Sequence, residues 1–549
     1  MRRPPFRYWR ALVGEIWRLA ALTVAILTSI VAFAAGVRPL ANGQLEPADA
    51  LRFMGLALIP MLQFTAPFAA GFAATLAYHR LTTDNEDAAL SSAGISRRAL
   101  LGPATVTGLA IGLLVAALAQ FAIPLMLRAM QELVTRDAAR VLIGAVERGS
   151  AAQFGGFVIH ADRAIRGQAD PARGVTDRLF LFGVVAYDEA PDGSIRADVA
   201  AERAEVLLTR ERRESDGEPV TVVRMLLEGA VGRRRGEALG EVGAVTIGPW
   251  IVPNAFRDSP RLYTFFGLRA LKTKPEMHPA VDILRRSLAR ELARDQAERF
   301  ITSALDGEGR VAFTDGRAGR VVVWASGVDR AGPTLRLRAP AHGPIVVERT
   351  GPDGDRTLEA EAGSVSLTTD PVRRGVRADL VFERIRNRGD ALPPRARIEL
   401  TGVTVANPAA TDYAALSSRT LRSRADSALS ANADDTRVRA ARDDLAGRIT
   451  HLNGEILASH HERFALAVSC IIITLLGATL ALRLRDRGPL QVYLWSLFPA
   501  LAAVVTISGG KNAVPDNQGV GLTVLWGGLA VLAAVWVNQA RRLSGPLLR

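Results

Sequence analysis

Cysteine is nearly absent: Cys470 is the sole one in 549 residues. That excludes a disulfide framework, so any exported part of the chain must be held by its own apolar core. Lysine is scarce too, with Lys272, Lys274 and Lys511 the only three among 68 basic residues. The formal net charge of +13 therefore reflects a general preference for arginine, and nucleic acid is not an expected partner. A basic exported domain beside anionic lipid head groups is the more useful reading. Also missing are a GxxxxGK[ST] phosphate loop, a kinase signature and a GxSxG motif. Without them the chain carries no recognisable means of hydrolysing ATP or an ester. No catalytic residue, no cofactor and no enzymatic activity are assigned. The seven histidines are scattered, and the only cluster is His460-His461-Glu462. Adjacent histidines point to different faces of a helix, which suits a head-group contact better than a metal site.

Long apolar runs, in contrast, are plentiful. The chain is 49% hydrophobic and 22% charged, and the apolar residues gather at its two ends. Crossing a hydrocarbon core of about 30 Å takes about 20 apolar residues. Residues 17–36, 53–78, 100–127, 464–482, 489–510 and 521–540 each meet that requirement, three before and three after a large middle section. The first is too long for a cleavable signal peptide and lacks a small-x-small site. Basic residues favour the cytoplasmic side. Arg2, Arg3, Arg7 and Arg10, then Arg80, Arg97 and Arg98, then Arg483, Arg485 and Arg487, then Arg541, Arg542 and Arg549 mark alternate loops and the two termini. Both termini are thus expected in the cytoplasm and the middle domain outside. Within residues 6–17, Phe6, Trp9, Val13, Ile16 and Trp17 share one side, the pattern of a helix lying in the interface before the first span.

The middle section changes period. From Gln153 to about Gly232 and again from Arg310 to Val405, apolar residues alternate with polar ones between Asp-Gly and Pro turns. This is the signature of antiparallel strands. PDGSIRADVAAERAEVLLT at 191–209 and PDGDRTLEAEAGSVSLTT at 352–369 share a turn, a strand, a small residue and another strand. Two related β-sandwich or jelly-roll modules are expected. Between them residues 280–301 read as a helix, and 413–462 read as a helical hairpin broken near SANADD. In its second half Val438, Ala441, Leu445, Ile449, Leu452 and Ile456 form one apolar stripe that leads into the fourth span. The fold class is therefore an α+β membrane protein, with six transmembrane helices (3+3) and a large antiparallel β domain inserted between the third and fourth. Expected boundaries are 1–127 for an interfacial helix and spans 1–3, 128–250 for the first β module and 251–307 for a helical connection. The second β module follows at 308–410, the hairpin at 411–462 and spans 4–6 at 463–549.

Between spans 2 and 3 lies TTDNEDAALSSAGISRR, residues 82–98, much too polar for a bilayer. It resembles the segment D-S-E-L-V-A-L-R-A-A-G-I-S that the LptF/LptG (YjgP/YjgQ) permeases of lipopolysaccharide export carry in the same place. Asp84, Glu86, Ala89, Leu90, Ala93, Gly94, Ile95 and Ser96 align without a gap. The departures are Asn85, Asp87 where an apolar residue is usual, and the Ser91-Ser92 pair. HHERFALAVSCIIITLLGATLAL also resembles the run by which the family enters its fourth span, and Trp526, Trp536 and Asn538 are kept in the last.

The resemblance, over about residues 1–230 and 455–549, implies a permease subunit of an ABC-type exporter. Such a subunit extracts lipopolysaccharide or a related glycolipid and passes it to a periplasmic bridge. Its implied partners are a cytoplasmic ATPase dimer and a second permease, identical or sister. It implies that Asp84, Glu86, Leu90, Gly94, Ile95 and Ser96 form the ATPase-coupling helix. Arg38, Arg52 and Lys511, on the outer side, are the candidate contacts for lipid phosphates. The alternatives are a mechanotransmission ABC subunit and an envelope scaffold, neither of which translocates lipid. The second β module and the hairpin are not explained by the resemblance.

Overall fold

A computed structural model of the chain describes residues 6–41, 47–135, 152–154, 157–170, 175–189, 195–212, 219–234, 240–252, 259–315, 319–331, 334–341, 343–350, 355–369, 375–387, 395–407, 410–432, 435–484 and 487–543. Arg2, Arg3, Arg485, Arg549 and the two PDG turns lie outside the described residues. The chain divides into two compact units. One holds Met1–Gly144, Phe256–Pro275 and Ile449–Arg549; the other holds Ala145–Ala255 and Glu276–Arg448.

The helices are α1 (Phe6–Ala41), α2 (Pro47–Thr83), α3 (Glu86–Ser92), α4 (Gly102–Ala117), α5 (Ile123–Thr135), α6 (Phe265–Thr273), α7 (Pro279–Glu308), α8 (Ser418–Ala431), α9 (Thr436–Arg483), α10 (Pro489–Ala513) and α11 (Gln518–Arg542). A π turn, Leu118–Ala122, joins α4 to α5 without interrupting the rod. Among the described residues six helices are long and apolar enough to cross a membrane, matching the six apolar runs. The helical segment expected before the first span is continuous with it: no proline separates Arg7 from Gly36, and Gly14 lies within the unbroken helix. Leu22, Ile26, Ile30 and Phe33 leave an exposed apolar stripe along α1, the character of a lipid-facing surface. Its opposite side places Leu12, Ile16 and Ala20 in one core with Ala70, Ala74 and Tyr78 of α2, Ile111 of α4 and Cys470 and Ala478 of α9. Alanine is the commonest residue of that core, which lets the helix backbones approach closely where apolar lipid offers no hydrophobic drive.

The second unit contains two antiparallel sheets. Strands β1 (Ala152–Phe154), β2 (Phe157–His160), β3 (Arg163–Gly167), β4 (Val175–Glu189), β5 (Ile195–Arg212), β6 (Pro219–Arg234) and β7 (Gly240–Val252) form the first, in the order β1-β2-β4-β5-β6-β7, with β3 also on β4. The long strands therefore pair in sequence order. The second comprises β8 (Arg310–Asp315), β9 (Gly319–Trp324), β10 (Gly327–Ala331), β11 (Thr334–Arg338), β12 (Ile345–Thr350), β13 (Arg356–Thr369), β14 (Val376–Asn387) and β15 (Arg395–Val405). Its pairings β8-β9-β12-β13-β14-β15 return to β8 through Thr404 opposite Thr314 and Val405 opposite Phe313, closing a ring of six strands. Closure removes exposed edges from that ring. Phe313, Val323, Val347, Leu380 and Phe382 fill its core together with Ile301 and Leu305 of α7. Glu298 on the same helix, almost fully buried, is paired to Arg294 at 3.3 Å, Arg330 at 3.5 Å and Arg437 at 2.9 Å.

Two expectations change. Residues 195–212 and 356–369 each form one long strand, β5 and β13, where two strands about a small residue were expected. Gly363 shows the cause in the second: a Cβ there would stand 2.9 Å from side-chain atoms of both Leu337 and Phe382. The small residue makes room for neighbours on a continuous strand and does not turn the chain. The sheets also pair their strands differently, so the similarity of the two sequence stretches does not extend to a repeated topology. Helix α8 ends at Ala431 and α9 begins at Thr436.

Candidate functional site

Two clusters in the helical unit concentrate its polar chemistry. The first is the segment between α2 and α4. Beyond Thr83 the chain reverses through Asn85, at φ 56°, a left-handed conformation that asparagine tolerates better than most residues. Helix α3 follows and is closed at Gly94, φ 83°. The Ile95 amide donates to the Leu90 carbonyl and the Gly94 amide to the Ser91 carbonyl, both at 3.0 Å. These are the paired bonds of a Schellman cap. Ser96 Oγ accepts from the Ala99 amide at 3.2 Å, starting the turn into α4.

The six residues singled out by sequence thus share one short turn-helix-turn. Asp84, Glu86, Gly94 and Ser96 are exposed, while Leu90 and Ile95 are half-buried. Tyr8 Oη donates to Glu86 at 3.3 Å. Arg80 bridges Glu15 at 3.0 Å and Asp84 at 3.6 Å, exposed pairs contributing about 0–1 kcal/mol each. Asp87, where the resembling pattern has an apolar residue, is 2% exposed, and its Oδ1 has no hydrogen-bond partner among the described residues. The position is buried although its occupant is acidic. An added Cβ at Gly94 meets nothing within 4 Å, so Gly94→Ala tests backbone strain alone. It should cost about 1–2 kcal/mol and speed amide exchange at Ile95 by roughly tenfold. An unchanged exchange rate would show that this cap does not hold the segment.

The second cluster surrounds Glu462 of α9, 4% exposed. Arg261 Nη2 donates to its Oε1 at 3.1 Å. Lys511 Nζ of α10 stands 2.7 Å from its Oε2, an ion pair without hydrogen-bond alignment. The neighbouring Arg463 points elsewhere: it donates to Gln120 Oε1 in the π turn at 3.1 Å and to the Tyr263 carbonyl at 2.8 Å. Arg128 Nε donates to the Leu262 carbonyl at 2.6 Å, and its guanidinium lies over the Tyr263 ring. Arginines from two spans therefore clamp a short turn, Pro260–Leu262, on its carbonyl side. Ionisable groups within membrane helices are costly and mark function when they persist, and π turns gather at such places.

Of the residues expected at the lipid rim, Lys511 belongs to this cluster. Among the described residues Arg52 pairs with Asp49, at 3.4 Å, and its side chain is 69% exposed. The Arg38 side chain lies outside the described residues. The three are not brought together among the described contacts. Sequence reading placed Glu462 in a head-group contact and, with Arg463, in the run that leads into the fourth span, but assigned neither a partner and missed Gln120 and Arg261. The one available signal was a charged pair directly before an uninterrupted apolar run. His460 stacks on Phe265 at 5.2 Å, and His461 accepts from Trp526 Nε1 at 3.1 Å. Among the described residues no group of three or more potential metal ligands occurs.

A family profile described as lipopolysaccharide export system permease LptF/LptG matches residues 14–212. Over that stretch the chain is similar to the LptF/LptG family. The matched part takes in the first three membrane helices, the α2–α4 segment with Gly94, and the first sheet as far as the end of β5. No curated protein matches the chain. At family level an LptF/LptG permease is a component of a lipopolysaccharide transporter and not an enzyme. The closed second sheet, α7, α8 and the residues around Glu462, apart from Gln120 and Arg128, fall outside the matched stretch.

Proposed function

We propose that the chain is the permease subunit of an ABC-type exporter, extracting lipopolysaccharide or a related glycolipid from the inner membrane and passing it to a periplasmic bridge. A separate cytoplasmic ATPase dimer supplies the energy through residues 84–96. A second permease of the same family, identical or sister, completes the membrane part. In this reading both termini are cytoplasmic and the β sheets are periplasmic.

The observation that carries the proposal is the family-matched turn-helix-turn between α2 and α4. It exposes Asp84 and Glu86, and its Schellman cap makes it a preformed projection for another protein's groove. At the opposite end of the bundle, Arg38, Arg52 and Lys511 are the proposed contacts for lipid phosphates. Arg52 is open to such a ligand, whereas Lys511 would have to share its charge with Glu462. Purification from native membranes, under conditions that preserve ABC complexes, should recover an ATPase, a second permease and bound glycolipid. Recovery of this chain alone would defeat the proposal. Photocrosslinking of lipid from α1, α2 and α10 separates translocation from mechanotransmission, which predicts no such crosslinks.

A further inference from the structure

Helix α6 has two unlike faces. Leu268 and Leu271 are buried, while Arg269 and Lys272 are exposed and Phe266 is 68% exposed. Residues 259–274 contain four cations and no acid, and they include two of the three lysines of the chain. Arg261 is committed to Glu462, which leaves Arg269, Lys272 and Lys274 as the outward charges.

A single exposed phenylalanine means little. Phe266, however, lies 6.4 Å from Phe121, which is itself 51% exposed and sits within the apolar span Ala99–Gln131. Leu113, Leu114, Phe121 and Leu125 continue that exposed apolar surface along α4 and α5. On the other flank Phe265 stacks on His460, whose ring meets that of Phe464, 44% exposed at the start of the apolar part of α9. The aromatic side of α6 is therefore continuous with the surface that two spans present to hydrocarbon. Arg269 and Lys272 on α6, and Lys274 just beyond its end, are exposed. Aromatic rings and snorkelling cations at this level are the pattern of a helix lying in a membrane interface.

We propose that α6 is a membrane-interface helix, in which Phe266 enters the acyl layer beside Phe121 while Arg269, Lys272 and Lys274 bind the phosphates of anionic bilayer phospholipid. It would fix the short turn that Arg128 and Arg463 hold at a defined depth. This is independent of whether the chain exports lipid.

Cys470 is fully buried, so a nitroxide can be placed on Phe266→Cys in the otherwise unaltered full-length protein, with Ser303→Cys as an exposed site on α7. In vesicles of phosphatidylcholine and phosphatidylglycerol, the label at 266 should be relaxed by oxygen in preference to a water-soluble nickel chelate. The label at 303 should show the reverse preference. Equal access of the chelate to both sites would overturn the proposal. As a second arm, Arg269→Gln/Lys272→Gln/Lys274→Gln should lower copurifying phosphatidylglycerol by at least about tenfold. Unchanged phosphatidylglycerol would defeat the assignment. So would loss of bound glycolipid with phosphatidylglycerol retained, which would make this a cargo site.

Discussion

Replacing Glu462 with glutamine is expected to destabilise the helical unit by about 3–5 kcal/mol, because removing one member of a buried ion pair strands the others. Glutamine keeps the size and can still accept a hydrogen bond from Arg261, yet it cannot neutralise Lys511 Nζ at 2.7 Å. The loss should appear as earlier thermal unfolding of the detergent-solubilised protein. A double-mutant cycle identifies the cause. Adding Lys511→Met to Glu462→Gln should restore at least half of the lost stability, since methionine fills similar volume without a charge to solvate. Two independent, additive losses would mean that the two side chains are not coupled. Because an interior pair is screened far less than a surface pair, high salt should not reproduce the effect.

Glu86→Lys should abolish both association with the ATPase and lipid export. Reversing a charge that pairs across an interface typically costs 2–5 kcal/mol or more, which is about 30-fold to several thousandfold in affinity. Glu86 is exposed, and among the described residues the bond it gives up is the 3.3 Å one from Tyr8. Tyr8→Phe removes that bond alone and should leave both activities near wild type. Circular dichroism and thermal unfolding of Glu86→Lys are expected to be unchanged. If assembly and export both survive the reversal, residues 84–96 are not the coupling element. If Tyr8→Phe fails equally, the effect lies in the attachment of α3 to α1 and not in the partner.

The sequence was most legible where the environment dictates composition. Hydrocarbon allows only closed backbone hydrogen bonding and apolar surface, so all six spans stood out as apolar runs. Their ends did not: α9 runs from Thr436 to Arg483, because helical periodicity continues after hydropathy falls. Period-two alternation likewise revealed the strands, but not that β15 meets β8 across only two residue pairs. The turn-helix-turn around α3 was readable because every determinant is local, from Asn85 to Gly94. The Glu462 cluster was not. Gln120 and Arg463 are 343 positions apart, and each resembles an ordinary interfacial residue until the fold joins them.

The π turn at Leu118–Ala122 gives span 3 a reserve of one residue. An α-helix adds about 100° and 1.5 Å with every residue, so taking up that surplus in ordinary α geometry would screw one half of the rod against the other by those amounts. Such a turn would draw Gln120 away from the Arg463 guanidinium. Span 3 is thus a threaded rod with one unit of slack, placed beside the buried charges and not at either end.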